Sequence, residues 1–142
     1  MITKPRPSAV RTDSIPLVQY RDERFPQRLK NTPKTIDELL RSETAVLLDN
    51  AFIETAERAR IDIPAHLRAE GAPGSYVVQA RGNIDELFRF QVAAVGAEIV
   101  SYIPNNSFLV RATESGARRL ATYSRVRSVL FYEPYYKIEK SL

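Results

Sequence analysis

The chain has no cysteine, no tryptophan, one histidine, one methionine and 5 glycines in 142 residues. Zero cysteines exclude disulfides and thiolate metal sites, though they do not fix a compartment. The lone histidine, His66, stands beside a loop and outside any motif, so it reads as a surface or packing residue rather than a catalytic base. No run approaches the ~18 apolar residues of a membrane-spanning helix. Met1 to Val10 carries Lys4 and Arg6 with no apolar stretch behind them, so no signal peptide is visible. Either the protein stays inside the cell or a further segment precedes this one.

Catalytic signatures are missing as well. There is no GxSxG, no glycine-rich phosphate loop, and no His/Asp/Glu cluster at metal-ligand spacing. Asp85-Glu86 is a carboxylate pair, but it falls in the first turn of a predicted helix, where the helix dipole already accounts for it. Glu133 is isolated. These absences point to a chain that is no enzyme by itself and uses neither cofactor nor metal.

What is present is uneven. The net charge of +4 divides into +5 over residues 1–35, −4 over 36–73 and +3 over 74–142. The basicity therefore belongs mostly to the leading segment, which weakens a nucleic-acid reading. That segment also holds five of the nine prolines: Pro5, Pro7, Pro16, Pro26 and Pro33. Proline lacks a backbone donor and disfavours helix in the residue before it. Residues 1–35 thus read as an extended arm, ordered only against a partner. Residues 36–73 read as a partly helical docking segment. Thr35-Ile36-Asp37-Glu38 is a capping box for a helix over 36–42. Ala45-Val46-Leu47-Leu48 and Ala51-Phe52-Ile53 flank Asp49-Asn50 as either a hairpin or a second helix running through Ala56 and Glu57. The cluster Gly71-Ala72-Pro73-Gly74 marks the best boundary.

Beyond that boundary the signals sharpen. SYVVQA (75–80) is a strand, and Asn83-Ile84-Asp85-Glu86 reads as a second capping box. The helix after it carries Ile84, Leu87, Phe88, Val92 and Val95 on one stripe and stops at Gly96. Strands over 98–103 and 107–112 flank the turn Pro104-Asn105-Asn106. A second helix starts at Thr113, and a last strand spans Val126 to Tyr132. Strand, helix, strand, strand, helix, strand predicts an α+β fold. Its expected form is a ferredoxin-like βαββαβ antiparallel sheet with two helices on one face, preceded by an irregular extension over 1–73.

Both faces of that sheet read as apolar. Val78, Ile99, Ile103, Phe108, Val110, Val129 and Phe131 supply one face; Tyr76, Val100, Tyr102, Leu109, Leu130 and Tyr132 are assigned mainly to the other. Two short helices cover one side only. The remaining side then exposes more apolar surface than a monomer usually leaves in water. Either a larger partner covers it, or residues 36–73 fold back over it, or the two share it.

Residues 74–142 resemble the N-terminal prodomain, or inhibitor-like domain, of subtilisin-like serine proteases. The resemblance is carried by SYVVQARG, by AEIVSYIPNNSFLVRAT, and by the close RSVLFYEPYYKIE. It implies that the open sheet face, with Tyr76, Val100, Tyr102, Leu109 and Tyr132, packs on surface helices of a cognate catalytic domain, in cis or in trans. It implies that the segment Pro134, Tyr135, Tyr136, Lys137, Ile138 and onward to Leu142 runs extended into the active-site cleft. Such prodomains often set a carboxylate from the middle loop on the protease helix ends. Here Asn105 and Asn106 occupy that loop, as helix caps or as a plain turn. The implied role is that of an intramolecular chaperone and tethered inhibitor at a secreted or extracytoplasmic location, binding neither nucleic acid nor membrane. The alternatives are a free-standing inhibitor or interaction module of the same fold and, less favoured, an RNA-binding ferredoxin-like domain. For the last, Phe108 and Arg111 are a weak match to the required third-strand motif.

Overall fold

Thr35 opens the first helix as its sequence dictates. Its hydroxyl accepts the Glu38 amide at 3.2 Å, while the Thr35 amide donates to the Glu38 carboxylate at 2.8 Å. In the computed structural model, which describes residues 15–138, this helix, α1 (Ile36–Leu40), lies among six short strands. They are β1 (Leu17–Val18), β2 (Tyr20–Arg21), β3 (Leu29–Lys30), β4 (Ala45–Leu47), β5 (Ala51–Glu54) and β6 (Arg60–Ile61). Four of them form a mixed sheet in the order β2-β3-β5-β4, with β3 and β5 parallel; β1 and β6 pair separately. Asp49-Asn50 turns a hairpin, so of the two forms open to that stretch the strand pair is the one adopted. The arm reading is corrected for residues 15–35. Within them, Leu17–Val18 and Leu29–Lys30 pair with the chain's own β6 and β5.

After a 3-10 turn at Ala65–Leu67 come β7 (Ser75–Ala80), α2 (Glu86–Ala94), β8 (Glu98–Ile103), β9 (Ser107–Arg111), α3 (Glu114–Ala121) and β10 (Val126–Phe131). These strands form one antiparallel sheet in the order β10-β7-β9-β8. The protein is thus α+β. Helix α2 starts two residues later than the second capping box implied. The N-cap is Asp85, whose carboxylate accepts the Phe88 amide at 3.0 Å, so Ile84 precedes the helix. Gly96 ends α2 with φ +84, a left-handed conformation that glycine adopts without penalty.

One face of this sheet meets both helices. Tyr76, Val78, Phe108 and Val110 pack there against Phe88 and Val92 of α2 and Ala117 and Leu120 of α3. The opposite face carries Val77, Ile103, Leu109 and Leu130, and it is covered. Val46, Leu48, Ala51, Ile53 and Ile63 from the leading half close over it, and Val46 and Val77 are both 0 % exposed. Of the covers considered for this face, the chain's own leading half is the one in place.

Polar groups tie the two halves together. Leu47 donates its amide to the Pro104 carbonyl at 2.8 Å, and the Asn105 amide donates to the Ala45 carbonyl at 3.2 Å. On the covered face, buried Gln79 accepts from the Thr55 hydroxyl at 2.8 Å and the Ser128 hydroxyl at 3.2 Å, and Arg127 donates to Thr55. A polar joint inside an apolar contact fixes one relative placement, because any slip leaves buried groups unpaired.

Candidate partner-binding surface

The five residues expected on one docking face are distributed over three environments. Tyr76 points to the helix side, stacked edge-to-face on Phe131 at 5.8 Å and only 2 % exposed. Its parity with Val78, two residues on, requires this, so its assignment to the open face is corrected. Leu109 and Tyr132 do lie on the other face, but they are half-buried against the leading half. Val100 and Tyr102 are the two that face solvent, 45 % and 57 % exposed.

A register shift between Ile99 and Ser101 explains that exposure. Ile99 pairs with Val110 and Tyr102 with Phe108, both on the helix side, while Ser101 pairs with Leu109 on the other. Val100 is the extra residue of a bulge, and the bulge moves Tyr102 from one face to the other. Strict alternation therefore places both Tyr102 and Ile103 wrongly, Ile103 lying on the covered face, and the sequence carries no bulge signal such as glycine at this point. Tyr102 now stands edge-on to Phe108 at 6.3 Å, and the Arg89 guanidinium lies over the Phe108 ring at 5.8 Å. Strand β8 is an edge. Its first five residues are exposed, and among the described residues no strand pairs with its outer side. Edge strands are commonly blunted by charge or proline; this one presents Ile99, Val100 and Tyr102 between Glu98 and Ile103.

The Asn105-Asn106 loop caps the chain itself. The Asn105 side-chain amide donates to the Ser42 carbonyl, just past the end of α1. Asn106 takes the left-handed conformation at φ 55, and its carbonyl accepts the Ala80 amide. The turn reading of this loop is therefore present, with the Asn105 side-chain amide spent within the chain.

The segment expected to run extended is folded back over Pro134–Lys137. Pro134, Tyr135, Tyr136 and Lys137 form a 3-10 turn, with Tyr136 9 % exposed in the contact between the halves. Asn50 donates its side-chain amide to the Tyr135 carbonyl at 3.1 Å and to that of Ile138. The Tyr135 hydroxyl donates to the Gln27 carbonyl. Burial, and then the charge of Glu133, push the Tyr136 phenol far above its ordinary range; burial also raises Tyr135, and burial followed by Asp49 raises Tyr132. The turn replaces the extended path because Tyr136 gains more from the apolar contact than from water. Leu142 lies outside the described residues.

One buried group escaped the sequence reading. Glu54 is 0 % exposed and is held by the Ser42 hydroxyl at 2.7 Å, by the Thr44 hydroxyl, and by Lys34 at 3.3 Å. Burial pushes its carboxyl up, but the hydrogen bonds of Thr44 and Ser42 and the contact with Lys34 outweigh that and hold it below the usual range. Nothing in AFIE distinguishes such a carboxylate from an exposed strand-end residue.

A family model described as "Domain of unknown function (DUF8729)" matches residues 34–133. The match starts beside the cap of α1, crosses Gly74 and ends just before the 3-10 turn, so it takes in strands from both sheets. No curated protein and no solved structure matches the chain. With well over half of its length aligned, the chain belongs to this domain family of unknown function.

Proposed function

We propose that the chain is a non-catalytic propeptide module of a subtilisin-like serine protease, serving as inhibitor and folding aid, and that its second sheet is ferredoxin-like. The strand order supports the fold reading: numbered within β7–β10 it runs 4-1-3-2, with both crossover helices on one side. The motifs YIPNNSFLVR and YEPYYKI support the family reading.

The observation that carries the binding mode is the free apolar edge of β8. The face that such a module was expected to use is occupied by the leading half, so the partner adds instead along β8, with Val100 and Tyr102 as anchors. Backbone pairing supplies affinity in strand addition, and side chains at alternate positions supply selectivity. Inhibition then follows from a partner held against β8 with its cleft barred to substrate. A module that binds only the native protease also stabilises that state by mass action.

Added in trans to a subtilisin-type protease, the chain is expected to slow hydrolysis of a chromogenic peptide at sub-micromolar concentration. Val100→Asp and Tyr102→Asp each weaken that inhibition about 30-fold, the effect of losing a hot spot of roughly 2 kcal/mol. Val100 is exposed, so Val100→Asp leaves the melting temperature in place, while Tyr102→Asp lowers it slightly through the lost contacts with Phe108 and the Asn106 amide. A folded chain that leaves every such protease untouched overturns the proposal.

A further inference from the structure

The opposite edge of the same sheet carries a different feature. Between α3 and β10 lies a groove of about 180 Å³. Along α3, Glu114, Ala117, Arg118 and Ala121 recur at helical spacing and form one wall; the two alanines leave the space that larger side chains would fill. Val129 and Phe131 of β10 form the other wall. Tyr76 of the neighbouring β7 makes the floor, and its hydroxyl is buried without a hydrogen-bond partner. Buried polar groups are nearly always paired, so an orphaned phenol at the bottom of an apolar groove points to a missing partner atom.

We propose that this groove receives a tyrosine side chain from an extended segment of a partner protein laid along the free edge of β10. Volume supports a ring, since an apolar cavity of about 150 Å³ accommodates benzene. Charge supports a neutral one: Glu114 and Arg118 at the rim already pair with each other at 2.7 Å. The Tyr76 hydroxyl selects a ring with a polar tip. Burial, and then Glu114, hold that phenol up and outweigh the opposing pull of Arg118, so it remains a neutral donor. The backbone of the incoming segment has a place as well, because among the described residues no strand pairs with the outer side of β10. This site lies at the far edge from β8 and does not depend on the protease reading.

The test is an amide-resonance titration of the full chain with N-acetyl-tyrosine methylamide, and with the phenylalanine and alanine analogues, to about 10 mM, tenfold above a roughly millimolar Kd. The tyrosine amide is expected to shift Tyr76, Ala117, Ala121 and Val129, severalfold more tightly than the phenylalanine amide, with the alanine amide inert. Tyr76→Phe should erase the preference for tyrosine while keeping phenylalanine binding. Ala121→Phe, at an exposed position, should fill the groove and abolish both. Equal shifts from the alanine amide, no shifts in this groove, or undiminished binding to Ala121→Phe would each overturn the proposal. Retained tyrosine preference in Tyr76→Phe would do so equally.

Discussion

A chain shortened to residues 74–142 is expected to lose its cooperative thermal transition and to bind a hydrophobic dye such as ANS. The cut falls at the glycine–proline linker, where the backbone offers the easiest separation, yet the apolar contact runs across it. Without the leading half, Val77, Ile103, Leu109, Leu130, Tyr132 and Tyr136 lose their cover. At roughly 1.5–3 kcal/mol for each fully buried side chain, and less for the half-buried Leu109, Leu130 and Tyr132, their burial contributes on the order of 5–10 kcal/mol. That is comparable with the roughly 5–15 kcal/mol by which a whole domain is stable. A sharp transition near that of the full chain would show the leading half to be accessory, and would return the second face to a partner.

Glu54→Ala is expected to destabilise the full chain by about 3 kcal/mol in denaturant titration, because it strands Ser42, Thr44 and Lys34 around an empty site. The same group gives a pH signature. Its carboxyl titrates below the ordinary range when folded, so its contribution is fully present above the unfolded value of roughly 4.3 and is lost as pH falls through the folded one. Stability of the native chain should therefore drop on acidification below that point. In Glu54→Gln the drop should be shallower. An identical acid limb in both proteins would show that Glu54 has no part in it.

The second sheet was legible because its signals are long. Six-residue strands such as SYVVQA and a helix stopped by Gly96 give periodicities that local chemistry then bounds. The leading sheet was not, since β1, β2, β3 and β6 have only two residues each, too few for alternation to register. Their pairing is decided by tertiary contact, not by propensity. Parity fails at three positions for two reasons: Tyr76 shares the parity of Val78, and Tyr102 and Ile103 follow a bulge with no sequence mark. The extended tail is an implication of the resemblance, and nothing in YEPYYKI itself announces the turn. What bends it is Asn50, 85 residues away from Tyr135, and no local rule reaches that far.

That reach bears on how the molecule is made. On the ribosome the leading strands emerge first, yet the β4–β5 turn must wait for residues 135–138 before Asn50 finds its carbonyl partners. The final seating of that turn comes late. Its maturation is gated by translation of residues far downstream, and contacts spanning so much of a chain form slowly once it is complete.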